Sequence, residues 1–303
     1  MKPYLFQLPD WLPIAAGRPL FSYGVMLGIS FILGWGLSVF LSRRDGMDAK
    51  VASTTIVMVV LVSLFGARAM HFIADTNARF SIANFFKFDE GGLVAYGGII
   101  GGLFGSWAFL RVKGGDWWAW IDNAAPGLSL GLGVTRVGCL LFGCDYGMKS
   151  EVPWAIRFPR WEDPDVVAWI KRSAPAYVDH LAGAVDSARH FSDYVHPTQL
   201  YESFVGFAGF ALCMLWRPLK RFHGQIMMVF LIYYGVCRFL LELIRGDADR
   251  NDDVGGLGLS TSQLTAVAML VACGILWRLR ATRGLYPAPG TAAWGTPPSP
   301  RRA

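Results

Sequence analysis

Long apolar stretches alternate with short polar connections along this chain. Seven stretches stand out: residues 20–41, 51–74, 92–110, 118–142, 197–216, 224–244 and 261–277. Each is close to the roughly 20 residues an α-helix needs to cross a hydrocarbon layer about 30 Å thick. Helices are expected because a lone strand in lipid would leave its backbone groups without partners. The pattern therefore predicts an all-α polytopic membrane protein with about seven transmembrane helices. The first stretch lacks a basic leader and a small-residue cleavage site, so it reads as a span and not as a cleaved signal.

The same pattern divides the chain. Residues 1–19 form an outward N-terminal segment, and 20–144 carry spans one to four. Residues 145–195 form a small outward-facing, periplasmic cap, 196–280 carry spans five to seven, and 281–303 are a disordered cytoplasmic tail rich in Pro, Gly and Ala. Within the cap, residues 152–158 alternate like a short strand. Residues 164–191 read as one or two amphipathic helices, with Val166, Val167, Trp169 and Ile170 on the apolar side. No internal repeat is visible.

Composition supports a membrane location. Only 17% of the 303 residues are charged, against about 25% in an ordinary soluble domain, and mean hydropathy is +0.38. A net charge of +6 would suit nucleic acid, but the distribution excludes that partner. Lys and Arg gather in alternate short loops: Arg43, Arg44 and Lys50; Arg111 and Lys113; Arg217, Lys220 and Arg221; Arg278, Arg280 and Arg283. The positive-inside rule places these loops and the C-terminus in the cytoplasm, and the N-terminus outside. A multi-pass protein of the bacterial inner membrane is expected. The five cysteines have no C-x-x-C spacing, so neither a metal nor another cofactor is expected. Cys139 and Cys144 lie near the outward end of the fourth span, either as a disulfide or as two small packed residues.

Some charges interrupt the apolar runs. Arg238 and Glu242 lie four apart in the sixth stretch, on one helical face and within reach of each other. Arg136 sits in the fourth with no acid at helical spacing. A charged side chain near the centre of a span costs roughly 2.5–3.5 kcal/mol on insertion scales. Two arginines kept at that depth point to an anion, and in a bilayer the commonest anion is a lipid phosphate. Other polar groups accompany them: Tyr23; Tyr96-Gly97-Gly98; Asp145 and Gly147; His196, Gln199 and Glu202; Tyr234, Arg245 and Asp247. Gln199 and Glu202 share a helical face, after a proline suited to a first turn. Gly97, Gly101 and Gly105 repeat every four residues, which lets helices approach closely. Alternatively, Gly97-Gly98 unwinds the helix and offers backbone N–H groups to a ligand.

These residues carry a resemblance. His196-Pro197-Thr198-Gln199-Leu200-Tyr201-Glu202 resembles the H-P-[ST]-Q-L-Y-E segment of bacterial prolipoprotein diacylglyceryl transferases. The stretch Tyr234-Gly235-x-x-Arg238-x-x-x-Glu242-x-x-Arg245 is similar to that family's Y-G-x-x-R-x-x-x-E-x-x-R. Gly91 through Gly102 is similar to its D/E-G-G-x-x-x-H-G-G-x-x-G, and Gly66-Ala67-Arg68 to the G-G-R closing its second span. The order of segments also agrees, over roughly residues 22–277.

The resemblance implies transfer of the diacylglyceryl group of phosphatidylglycerol to the lipobox cysteine thiol of a preprolipoprotein, with release of glycerol phosphate. It implies catalytic roles for Arg238, Arg136, Tyr96, His196 and Glu202. It implies lipid contacts for Arg136, Arg238, Tyr23, Tyr234, Gly97, Gly98 and Gln199. Glu242, Arg245, Asp145, Gly147 and Arg68 are expected to support them. The partners expected are phosphatidylglycerol, lipobox signal peptides and membrane lipid. Two departures stand out. The fourth-span signature G-R-x-G-N-F-x-N-x-E-x-x-G keeps its arginine and two glycines, Arg136, Gly138 and Gly147, but neither asparagine nor the glutamate. The usual histidine of the third span is Tyr96, a poorer base with an ordinary pKa near 10. The alternatives are a lipid-binding paralogue with a lost or changed acceptor, and a transporter or flippase. A retinal photoreceptor is excluded, because residues 261–277 hold no lysine.

Overall fold

A computed structural model of the chain describes residues 3–9, 11, 17, 19–74, 81–86, 94–161, 174–181, 190–247, 256 and 258–282. A short antiparallel pair, β1 (Tyr4–Gln7) and β2 (Pro19–Phe21), leads into α1 (Ser22–Arg44). There follow α2 (Ala49–Ala74), α3 (Ile82–Phe85), α4 (Ala95–Lys113), α5 (Trp117–Phe142) and α6 (Pro175–Leu181). The chain continues with α7 (Thr198–Trp216), α8 (Gln225–Glu242) and α9 (Thr261–Thr282). Every predicted apolar run is a helix. Five of these, α1, α2, α5, α8 and α9, are long and apolar enough to cross a membrane. α4 and α7 have 19 residues each. Glycines in α4 and the polar start of α7 dilute their hydropathy.

The fold divides into two units, residues 1–34 with 125–285, and residues 35–124 with 286–303. In the second unit α2 and α4 pack through glycines. A Cβ on Gly97 would lie 2.3 Å from the Gly66 carbonyl oxygen, and one on Gly101 2.4 Å from that of Val62. No side chain fits there, so the four-residue glycine repeat serves close packing. Local unwinding is not what occurs, since Gly97 and Gly98 lie inside the first turns of α4.

In the first unit α5 meets α7 as tightly. A Cβ on Gly206 would lie 2.3 Å from the Gly133 nitrogen. Two hydroxyls bond across this contact: Ser129 Oγ donates to the Gly206 carbonyl at 2.8 Å, and Ser203 Oγ to that of Gly133 at 2.7 Å. Such bonds in a bilayer are worth about 0.6 kcal/mol each. Behind them Ala125, Cys213, Ile226 and Phe230 form an apolar core. Between α5 and α7 lies a small apolar cluster of Tyr146, Phe158, Trp161, Tyr177 and Val195, among others.

The strand expected at residues 152–158 does not form. Among the described residues Ile156 and Pro159 make only isolated antiparallel bridges, to Val195 and Phe191, which do not join into a ladder. Val166, Val167, Trp169 and Ile170 and the tail from 283 lie outside the described residues; α6 is the helical part of the cap that is described.

Candidate active site

The site is built around a bent segment clamped from two sides. α5 ends at Phe142, and Gly143 turns the chain with φ 84°. Asp145 follows with φ 55°, the one non-glycine residue with positive φ among those described. Aspartate tolerates this left-handed region better than most residues. The bend is held by the start of α7. Thr198 Oγ1 donates to the Asp145 carbonyl and Gln199 Nε2 to that of Cys144, each at 2.7 Å. From the other side, Met148 N–H donates to the Ile244 carbonyl at 2.8 Å and Gly246 N–H to that of Tyr146 at 3.1 Å. Gly147 sits between these clamps, where a Cβ would lie 2.6 Å from that of His196.

This framework gathers three arginines and four carboxylates. Arg136 Nε meets Glu202 Oε2 at 2.5 Å, and its Nη1 meets Asp145 Oδ2 at 2.5 Å. Arg245 pairs with Asp145 Oδ1 and Asp247 Oδ2. Arg238 Nη1 meets Glu242 Oε2 at 2.5 Å, the pairing predicted from their spacing. Glu202 ties the groups together, its Oε1 lying 3.7 Å from Arg238 and 3.6 Å from Arg245. The Glu202 side chain is only 7% exposed. Beyond the ions, Ser262 Oγ accepts from Arg238 Nη2 at 3.0 Å, and Ser260 Oγ donates to Glu242 Oε1 at 2.7 Å.

A buried cluster of this kind must satisfy itself, because an unpaired charge in its place is strongly destabilising. Among the described residues, the bonds found for Arg136 engage Nε and Nη1, so Nη2 keeps donors that can meet a phosphate. Burial pushes the Asp145 carboxyl up, but the Arg136 and Arg245 guanidiniums outweigh it and hold the group below its ordinary pKa. The Cys144 thiol is raised, chiefly by its hydrogen bond with Cys139 and then by burial. Both thiols are free.

The other predicted residues fall into four groups. Tyr23 packs against Phe142 with ring centroids 6.4 Å apart, and Tyr234 stacks on Phe230 at 5.9 Å; both lie within electrostatic range of Arg136. Gln199 and Gly147 shape the bend. The His196 ring turns to another pair: its Nδ1 lies 3.3 Å from the Tyr201 hydroxyl, which accepts from Trp154 Nε1 at 2.5 Å. Tyr96, Gly97, Gly98 and Arg68 belong to the second unit. There Arg68 is buried, with Nη2 donating to the Asn84 carbonyl at 2.6 Å and Nε to that of Phe85 at 3.2 Å. It therefore fastens α3 to α2. The sequence reading missed Ser260 and Ser262. Ser260 stands just before the last span, where serine caps a helix, and Ser262 lies in its first turn; that cap was the available signal.

Comparison with known proteins supplies the family. A family model described as prolipoprotein diacylglyceryl transferase matches residues 12–279. A protein of Clostridium tetani named phosphatidylglycerol–prolipoprotein diacylglyceryl transferase is 26% identical over 272 residues, covering 89% of this chain and 94% of its own. Proteins of the same name from Neisseria meningitidis (30% over 259 residues, covering 80% and 87%) and Thermus thermophilus (27% over 271 residues, covering 85% and 93%) are similar as well. With a match that runs almost from end to end, this chain belongs to the prolipoprotein diacylglyceryl transferase family.

Proposed function

We propose that this protein transfers the diacylglyceryl group of phosphatidylglycerol to the cysteine thiol of a lipobox signal peptide. The observation that carries the reading is the arginine cluster around Glu202, an anion site made from apolar helices. Arg136 and Arg238 take the phosphate, since a guanidinium stays charged when desolvated and pairs bidentately with phosphate oxygens. The cysteine sulfur attacks the glycerol carbon that bears the phosphate. A C–S bond forms, the C–O bond breaks, and the pair of electrons leaves with glycerol phosphate. The charge that develops on that leaving group is met by the same guanidiniums. The thiol proton goes to one of the two carboxylates that flank Arg136, Glu202 or Asp145. Tyr23 and Tyr234 line the headgroup side, and Glu242 orients Arg238.

All seven long helices cross the bilayer in this reading. A 19-residue helix is about 28 Å long, enough for the hydrocarbon layer. Basic residues in the last turns of α1, α4 and α9 support a cytoplasmic face there, so the segment bearing Asp145 faces outward, where lipobox cysteines emerge. Location in the bacterial inner membrane follows.

The test is a transfer assay with purified protein, phosphatidylglycerol vesicles and a synthetic lipobox peptide, read by mass spectrometry. A diacylglyceryl increment on the cysteine is expected from the wild type, and none from Arg136→Ala or Arg238→Ala inserted at normal levels. No increment from the wild type, with a related enzyme active alongside, would favour the lipid-binding paralogue. The lost asparagines of the fourth span support that second reading.

A further inference from the structure

We propose that Cys139, Cys144 and Asp145 form a binding site for a thiophilic d10 cation of the zinc class. The two Sγ atoms and a carboxylate oxygen lie within 4.8 Å of one another. Cys144 Sγ is 3.9 Å from Asp145 Oδ2. A tetrahedral zinc ion with Zn–S near 2.3 Å and Zn–O near 2.0 Å holds two sulfurs about 3.8 Å apart and a sulfur and an oxygen about 3.5 Å apart. From 4.8 Å the spacing needs a contraction of about 1.0–1.3 Å at most. Cys144 can supply it, because it follows the end of α5 and is held through its backbone carbonyl, while Asp145 stays in place between Arg136 and Arg245. Cys139 is buried, whereas Cys144 and Asp145 are partly exposed and give an ion a way in.

The exchange conserves charge. Without metal the site holds two neutral thiols and one carboxylate. Uptake of a divalent ion forms two metal–sulfur bonds and releases both thiol protons, so the net charge facing Arg136 is unchanged. Arg136 Nη1, 3.8 Å from Cys139 Sγ, is then placed to donate to a metal-bound thiolate. Three protein ligands leave the fourth position of a tetrahedral ion open to water or to an incoming thiol.

Cadmium, which gives an ultraviolet thiolate-to-metal absorption, is the probe. Reduced full-length protein in detergent is titrated with Cd²⁺ and then challenged with Zn²⁺. One cadmium per chain is expected, with the thiolate band displaced by zinc. Cys139→Ser, Cys144→Ser and Asp145→Asn should each weaken cadmium binding by at least about tenfold. A variant with Cys213, Cys237 and Cys273 all changed to alanine should keep the band. Absence of the band in reduced wild type would overturn the assignment, as would unchanged affinity in a folded Cys139→Ser, Cys144→Ser double variant. The readout does not depend on transfer activity, so a failure here leaves the proposed function untouched.

Discussion

Changing Glu202 to glutamine keeps the shape of the side chain but removes the charge that three guanidiniums share. At an effective dielectric near 20, a unit pair at 3.6–3.7 Å contributes about 4–5 kcal/mol before solvation is counted, and one at 2.5 Å about 6–7 kcal/mol. Desolvation of the carboxylate and repulsion from Asp145 offset most of that sum. Deleting one member of a buried ion pair and leaving the other behind typically costs about 3–5 kcal/mol. Glu202→Gln should therefore shift the unfolding equilibrium in mixed detergent–dodecyl sulfate micelles by that amount. Transfer should fall at least about tenfold at saturating phosphatidylglycerol, as Arg136 loses its fixed direction. Glu202→Gln combined with Arg136→Gln should cost less than the sum of the single changes, because the charges then leave together. A Glu202→Gln protein within about 0.5 kcal/mol of wild type, the range of an ordinary surface change, would refute the idea that this carboxylate organises the cluster.

Three further outcomes are expected. Arg136→Lys and Arg238→Lys should insert normally yet lose most transfer activity in the mass assay, because an ammonium cannot reproduce the two-pronged contact with phosphate. Asp145 has a folded pKa held below its unfolded value of about 4, so its stabilising contribution is present above that value and fades as pH falls through the lower, folded one. Unfolding midpoints followed from neutral pH into this acid range should fall for wild type and change less for Asp145→Asn. Gly206→Ala would put a Cβ 2.3 Å from the Gly133 backbone, and the helices must separate. A loss of about 1–3 kcal/mol is expected in the same unfolding assay.

Helix positions were legible because hydropathy is a local property: each apolar run became a helix with ends displaced by a few residues. The Arg238–Glu242 pair was legible for the same reason, since both partners lie on one helix. The partners of Arg136 were not. Asp145 reaches it through a left-handed bend, and Glu202 comes from a different helix, so no spacing in the sequence announces either contact. Arg245 was read as a supporting residue, yet the bend after α8 carries it to Asp145 and toward Glu202. The alternation at residues 152–158 reflects burial of Ile156 and Phe158 toward the apolar cluster. Alternation alone cannot make a strand when the neighbouring segment pairs at isolated positions.

The distribution of the cluster along the chain also bears on biogenesis. A ribosome feeding α5 into the membrane delivers Arg136 well before Glu202, Arg238 or Arg245 has been made. Of its two carboxylate partners, only Asp145 emerges with it, on the segment that follows directly. Asp145 is thus the one of these carboxylates on hand to accompany the arginine in the interval before α7 arrives. In the folded chain the same carboxylate is a strut between Arg136 and Arg245.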